Sequence, residues 1–132
     1  MAVRLQAQQA AAPRRSDAFN SDCPAREVLD HLTSRWGTLI LTALDDGPLR
    51  FSELHGIIGG ISEKMLSQTL RTFVRDGLVE RTVEPTTPPR VSYELTTLGQ
   101  GLTGSLQQFL AWIGRHAPEV MAAQRRYDRA KQ

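Results

Sequence analysis

The sequence predicts a mainly α-helical domain that carries one small β hairpin. Three observations predict it. Apolar residues recur at helical spacing in several short segments before residue 77 and in one long segment after residue 96. Between them, residues 78–84 and 91–95 alternate as strands do, around a proline-rich tip. The helical segments stop at strong breakers: Asp45-Asp46-Gly47-Pro48, Gly59-Gly60 and Gly77.

Residues 1–20 read as a flexible N-terminal arm, because they lack a repeating apolar face and Pro13 interrupts them. Pro24 suits the first position of a helix, where its missing N–H is not needed, and Val28, Leu29 and Leu32 give that helix an apolar side. Thr33 or Ser34 caps a second helix carrying Trp36, Leu39, Ile40, Ala43 and Leu44. Leu49-Arg50 is room for only a very short strand. A third helix follows, with Phe51, Leu54 and either Ile57 or Ile58 turned inward.

Ser62 is a good N-cap for a fourth helix running to about Asp76. Ile61 and Leu66 stand at the spacing of a hydrophobic staple, and Leu66, Leu70, Phe73 and Val74 form the expected buried stripe. Gly77 closes the helix, with Leu78 placed for a capping contact. Val79, Arg81 and Val83 share one face of the outgoing strand, and Val91, Tyr93 and Leu95 alternate along the returning one. Thr96-Thr97 starts the last helix, where Thr97 and Gln100 fit a capping box. Its stripe is Leu98, Leu102, Leu106, Phe109, Leu110, Ile113, Ala117 and Val120, widened by Trp112 and Met121. The expected boundaries are an arm over 1–20, a domain over 21–123 and a basic C-terminal tail over 124–132 holding Arg125, Arg126, Arg129 and Lys131.

Composition narrows the function classes. The 16 Lys+Arg against 14 Asp+Glu leave a net charge of +2, so any nucleic-acid surface must be a local basic face. One cysteine, Cys23, excludes an internal disulfide and a clustered cysteine metal site. No apolar run suggests a membrane span and the N-terminus lacks a signal peptide, so a cytoplasmic location is expected. His31, His55 and His116 fall in different helices without ligand spacing, and no phosphate-binding glycine loop is present. Neither a metal, a cofactor nor catalysis is expected.

The fourth helix carries the functional signal. Opposite its apolar stripe it bears Glu63, Lys64, Ser67, Gln68, Arg71 and Arg75, and Lys64, Gln68, Arg71 and Arg75 point the same way. Arg and Gln can pair bidentately with guanine and adenine in the major groove, while Lys64 and Arg75 suit phosphates. Alone, this face could simply be solvated. Helix, glycine turn, helix and hairpin in that order form a docking unit for duplex DNA, the winged helix-turn-helix. Ser62 opens the reading helix. Arg90, just past the prolines, and Arg81 on the outgoing strand add wing contacts, and Arg35 and Arg50 are further phosphate candidates.

The last stripe is longer than such a unit needs. Pairing two copies through Leu102, Leu106, Leu110, Ile113, Ala117 and Val120, completed by Val28 and Leu32 of the first helix, buries it and presents two reading helices to successive major grooves. Cys23 precedes a helix-start proline. Helix N-termini favour thiolates, the adjacent Asp22 opposes that, and an inert thiol is the plain alternative.

These residues resemble the HxlR family, a branch close to the MarR-type winged-helix regulators. The similarity covers about Cys23 to His116. It rests on ordered motifs: Cys23-Pro24, Arg35-Trp36, Leu39-Ile40-Leu41, Gly47-Pro48 and Arg50-Phe51-Ser52-Glu53-Leu54. Then follow Gly60-Ile61-Ser62-Glu63-Lys64-Met65-Leu66, Leu70-Arg71, Asp76-Gly77-Leu78-Val79, Pro88-Pro89-Arg90-Val91, Tyr93, Leu95-Thr96 and Gly99. The resemblance implies a homodimeric repressor or activator, repression being the expected sign. It also implies dimerising terminal helices and DNA contacts from the helix at Ser62 and the wing at Arg90. Some members sense oxidants, quinones or aldehydes through the cysteine matching Cys23. Arg35, Thr69 and Ser92 depart from the frequent Lys, Arg and Glu, and Thr69 bears on phosphate contacts or operator choice.

Two other readings stay open. A small apolar effector could bind a cavity lined by Trp36, Phe109, Trp112 and Met121, which could equally fill a core. A winged-helix protein-interaction module without DNA binding is the other. The expected partners are duplex DNA, a second copy of the chain, and an oxidant, electrophile or small apolar effector.

Overall fold

The structure, a computed structural model, describes residues 18–132. Most of the expected N-terminal arm lies outside the described residues. The described residues fall into two compact units, one ending at Thr38 and one spanning Leu39–Gln132.

In the first unit, Ala18 and Phe19 are helical, and Arg26 ties them down. Its Nε donates to the Ala18 carbonyl at 2.8 Å and its Nη2 to the Phe19 carbonyl at 3.0 Å. Helix α1 spans Pro24–Thr33, with Cys23 at the N-cap and no side-chain cap bond. None of its residues is buried, and Val28 and Leu29 are well exposed. Of the two candidate caps for the next helix, Ser34 acts. The Gly37 N–H donates to its Oγ at 3.0 Å, whereas the Thr33 hydroxyl turns back to the Leu29 carbonyl. Helix α2, Arg35–Ala43, begins there and runs into the second unit.

The second unit holds the apolar core. Ile40, Leu41, Leu44, Leu54, Leu66, Leu70, Phe73 and Val79 are almost fully enclosed. A 3-10 turn at Leu44–Asp46 leads to β1, Leu49–Arg50, and α3, Phe51–Ile57. Ile58 is the buried member of the Ile57-Ile58 pair, because the helix ends at Ile57 and the extended backbone of Ile58 turns its side chain inward. Helix α4 spans Glu63–Arg75. The strands β2, Val79–Glu84, and β3, Arg90–Leu95, form the hairpin, and β1 pairs with β3 to give an antiparallel sheet in the order β1-β3-β2. The mainly α architecture with a small wing is therefore present.

Local chemistry fixes both ends of α4. Ser62 accepts from the Met65 N–H at 3.0 Å. Ile61 and Leu66, the staple pair, are both buried. At the far end, the Leu78 N–H reaches the Phe73 carbonyl and the Gly77 N–H the Val74 carbonyl, the paired bonds of a Schellman cap. Gly77 takes a φ of 76°, where a side chain is strained.

The longest helix, α5, spans Thr97–Ala130. Its cap is Thr96 rather than the expected Thr97 pairing, because the Thr96 hydroxyl does two jobs. It accepts from the Gly99 N–H and donates to the Gly77 carbonyl at 2.6 Å. The Thr96 N–H bonds the Leu78 carbonyl, so the start of α5 is fastened to the end of α4. A Cβ on Gly99 would stand 2.3 Å from the Leu78 carbonyl oxygen, which requires glycine there. The helix continues through Pro118 and through residues 124–130, so Arg125, Arg126 and Arg129 stand in its last turns, where positive charge suits a helix C-terminus.

Candidate nucleic-acid interface

Helix α4 presents two faces of opposite character. Leu66, Leu70 and Phe73 are buried, and Lys64, Gln68, Arg71 and Arg75 are exposed along the other side. The expected row thus exists as a continuous outward surface held by a capped helix. Val74, expected in the core stripe, is instead 38% exposed. It sits beside Phe73 at the edge of the buried arc, so the sheet edge, and not the core, is its neighbourhood. Ser67 is half-buried, and its hydroxyl accepts from Arg71 Nη1 at 3.4 Å, which restrains the arginine.

The wing brings further cations to the same unit. Arg81 stands opposite Tyr93 in the β2–β3 register, and Val79 opposite Leu95. Directly opposed residues share a face, so Arg81 and Tyr93 continue the face that buries Val79 and Leu95. The period of two sends Thr82, Glu84, Arg90 and Ser92 to the other side. Arg50, opposite Ser92, joins that outer face. It also starts α3: its backbone N–H donates to Glu53 Oε1 at 2.8 Å, and its Nε lies 3.7 Å from the same oxygen.

Two concavities flank the wing. The inner one, about 660 Å³, is lined by Ser67, Arg71, Val74, Arg75, Arg81 and Tyr93. The outer one has Arg50, Ser52, Glu84 and Arg90 among its lining residues, with the proline tip. Sequence reasoning singled out the arginines and missed Tyr93 and Val74 as their neighbours. The usable signal was the hairpin register, since Val79-Arg81-Val83 aligned with Leu95-Tyr93-Val91 already pairs Arg81 with Tyr93.

The remaining candidates lie elsewhere. Arg35 belongs to the first unit, where its guanidinium stacks 4.5 Å over the Trp36 ring. Cys23 is a free, half-buried thiol. On α5, Leu106 is buried and Leu102 and Leu110 are half-buried, whereas Phe109, Trp112, Ile113, Val120 and Met121 are exposed. Trp112 stacks on His116 with ring centroids 4.6 Å apart. Among the described residues, no helix is long and apolar enough to cross a membrane.

The family model for HxlR-like helix-turn-helix proteins matches residues 31–121, more than half of the chain. The chain belongs to the HxlR family. An HxlR relative, the HTH-type transcriptional regulator YtfH of Escherichia coli, is 47% identical over 109 residues, 83% of this chain and 86% of that protein. The solved structure of a YtfH regulator from Salmonella typhimurium superposes with a TM-score of 0.77 at 47% identity, covering 81% of this chain and 96% of that one. YodB of Bacillus subtilis, solved after diamide treatment, matches with a TM-score of 0.61 at 38% identity over 73% of this chain and 96% of that one. This HxlR chain is accordingly a helix-turn-helix transcriptional regulator of a family that is not catalytic.

Proposed function

We propose that the chain is a homodimeric repressor that reads the major groove of duplex DNA with α4 and grips flanking DNA with the wing. The observation that carries this reading is the exposed row Lys64, Gln68, Arg71 and Arg75, held outward on a helix whose opposite side is sealed in the core. Base edges in the major groove accept such donors, and the outer-face Arg90 suits the flanking backbone.

Dimerisation is supported by α5. Its own domain buries Gly99, Thr103 and Leu106 and no residue beyond. Phe109, Trp112, Ile113, Val120 and Met121 are 55%, 49%, 40%, 45% and 52% exposed. Apolar side chains of this size spaced along one helix fit a helix–helix seam with a second copy. The same exposure favours the seam over an enclosed effector cavity for Phe109, Trp112 and Met121.

The test is a titration of the protein against duplexes recovered by selection from a random-sequence pool. Specific binding protects a two-fold symmetric site whose half-sites lie about 34–36 Å apart, and affinity falls as salt rises. Salt-insensitive binding, or protection of one unpaired half-site, would refute the reading. A promoter reporter reads the sign of regulation.

Redox control through Cys23 is a second reading. It is supported by the free, half-buried thiol at the N-cap of α1 and by kinship with YodB, which has been solved after diamide treatment.

A further inference from the structure

Helix α4 carries a second row beside its polar one. Lys64, Gln68 and Arg71 are each followed by a residue one step round the helix: Met65, Thr69 and Thr72. At i, i+4 and i+7 these three share a face, turned by about 100° from the polar row. It is the flank away from the wing. Ser67, Arg71, Val74 and Arg75 line the inner trough on the wing side, and Met65, Thr69 and Thr72 do not. Met65 is 38% exposed and both threonines are half-buried. The N-cap holds the row in place, because the Met65 N–H is the donor that Ser62 accepts.

This row has no hydrogen bond to donate. The Thr69 hydroxyl donates to the Met65 carbonyl at 2.8 Å, and the Thr72 hydroxyl to the Gln68 carbonyl at 3.2 Å. Both hydroxyl protons are thus spent on the backbone of α4 itself. What the row offers is apolar: the thioether chain of Met65, unbranched and adaptable, and one methyl group on each threonine. An exposed methionine in the first turn of this helix serves neither the core, which Leu66, Leu70 and Phe73 fill, nor the polar surface.

Base edges in the major groove offer more than donors and acceptors. Thymine alone adds an apolar group there, its C5 methyl. The amide of Gln68 suits the N6 and N7 of adenine, and the methyl of thymine stands at the other side of such a pair. An apolar row one residue from a row of donors matches that arrangement. We propose that Met65, with Thr69 and Thr72 behind it on the same face, reads a thymine methyl in each half-site and is a specificity-determining residue of this regulator. The inference rests on the DNA-binding reading above and adds which base is read by this flank, and through which group.

The test removes the methyl and nothing else. Each thymidine of the selected duplex is replaced in turn by deoxyuridine, which pairs with adenine identically. Burial of one methyl contributes about 0.8 kcal/mol, so at one position the replacement weakens the wild type by about fourfold per half-site. Met65→Ala binds the unmodified duplex more weakly and no longer distinguishes thymidine from deoxyuridine at that position, because the two changes remove the same contact. Met65→Leu keeps an apolar side chain there and retains the discrimination. The deoxyuridine scan on the wild type needs no variant, and urea unfolding checks that Met65→Ala is folded.

If no deoxyuridine weakens the wild type, or if every deoxyuridine effect persists in Met65→Ala, the apolar readout is refuted while the DNA-binding reading stands. Selected half-sites without a constant thymine refute it equally. A wild type that binds no duplex overturns both readings.

Discussion

Under the DNA-binding proposal Gln68 addresses base edges, and that role is measurable at one residue. Gln68 is exposed on α4 outside the inner trough, and its amide can both donate and accept. Gln68→Ala should therefore cut the ratio of specific to nonspecific affinity, by about 1–3 kcal/mol of discrimination, with little change in nonspecific binding. Competition between the selected duplex and random DNA measures that ratio, and equal losses on both would make Gln68 a positioning contact. Cys23 is a separate residue-scale matter. Diamide treatment should weaken operator binding of the wild type by about tenfold, a coupling of ordinary size, and leave Cys23→Ser unaffected. Equal release of both proteins in a mobility-shift titration would remove Cys23 from the switch.

Among the elements, the join between α4 and α5 is the most constrained. The Leu78 carbonyl accepts from the Thr96 N–H, and the Gly77 carbonyl from the Thr96 hydroxyl. Gly99 allows the first turn of α5 to lie against that carbonyl. Gly99→Ala sets two effects against each other. Helix propensity gains about 1 kcal/mol. The new Cβ would stand 2.3 Å from a backbone oxygen, which cannot rotate away as a side chain would. Overpacking of this kind costs about 1–3 kcal/mol, so the variant should be net destabilised in urea unfolding. Gly101→Ala is the control on the same helix. Its Cβ meets nothing within 4 Å, so the propensity gain should appear unopposed. A stabilised Gly99→Ala would mean that the join is loose, and that α4 is not registered to α5.

At the scale of the whole molecule, the proposed dimer rests on α5. Thirty-four residues make a rod of about 51 Å. The domain buries only the part ending at Leu106, with Leu110 half-covered. Phe109→Glu or Ile113→Glu should leave the protomer folded, because neither side chain is buried within it. Each should raise the dimer dissociation constant by about 30-fold, the ~2 kcal/mol of a central interface residue. Sedimentation measures that shift, and operator affinity should fall with it, since two half-sites must be held together. A variant that stays fully dimeric would move the interface away from this stripe.

Local physics makes much of the chain legible in its sequence. The N-cap at Ser62, the glycine stop at Gly77 and the alternation of Val91, Tyr93 and Leu95 are written in adjacent residues, because caps, turns and pleats depend on near neighbours. The amphipathic row on α4 follows from helical spacing in the same way. The tertiary structure alone decided what depends on distant residues. It exposed Val74 and Ile57, buried Ile58 and Leu41, and moved the α5 cap to Thr96. It also gathered Arg71, Arg75 and Arg81 around one trough without a carboxylate. Periodicity tells which side chains share a face. How wide the buried arc is, and which cations meet across a groove, is set by how elements far apart in sequence pack together.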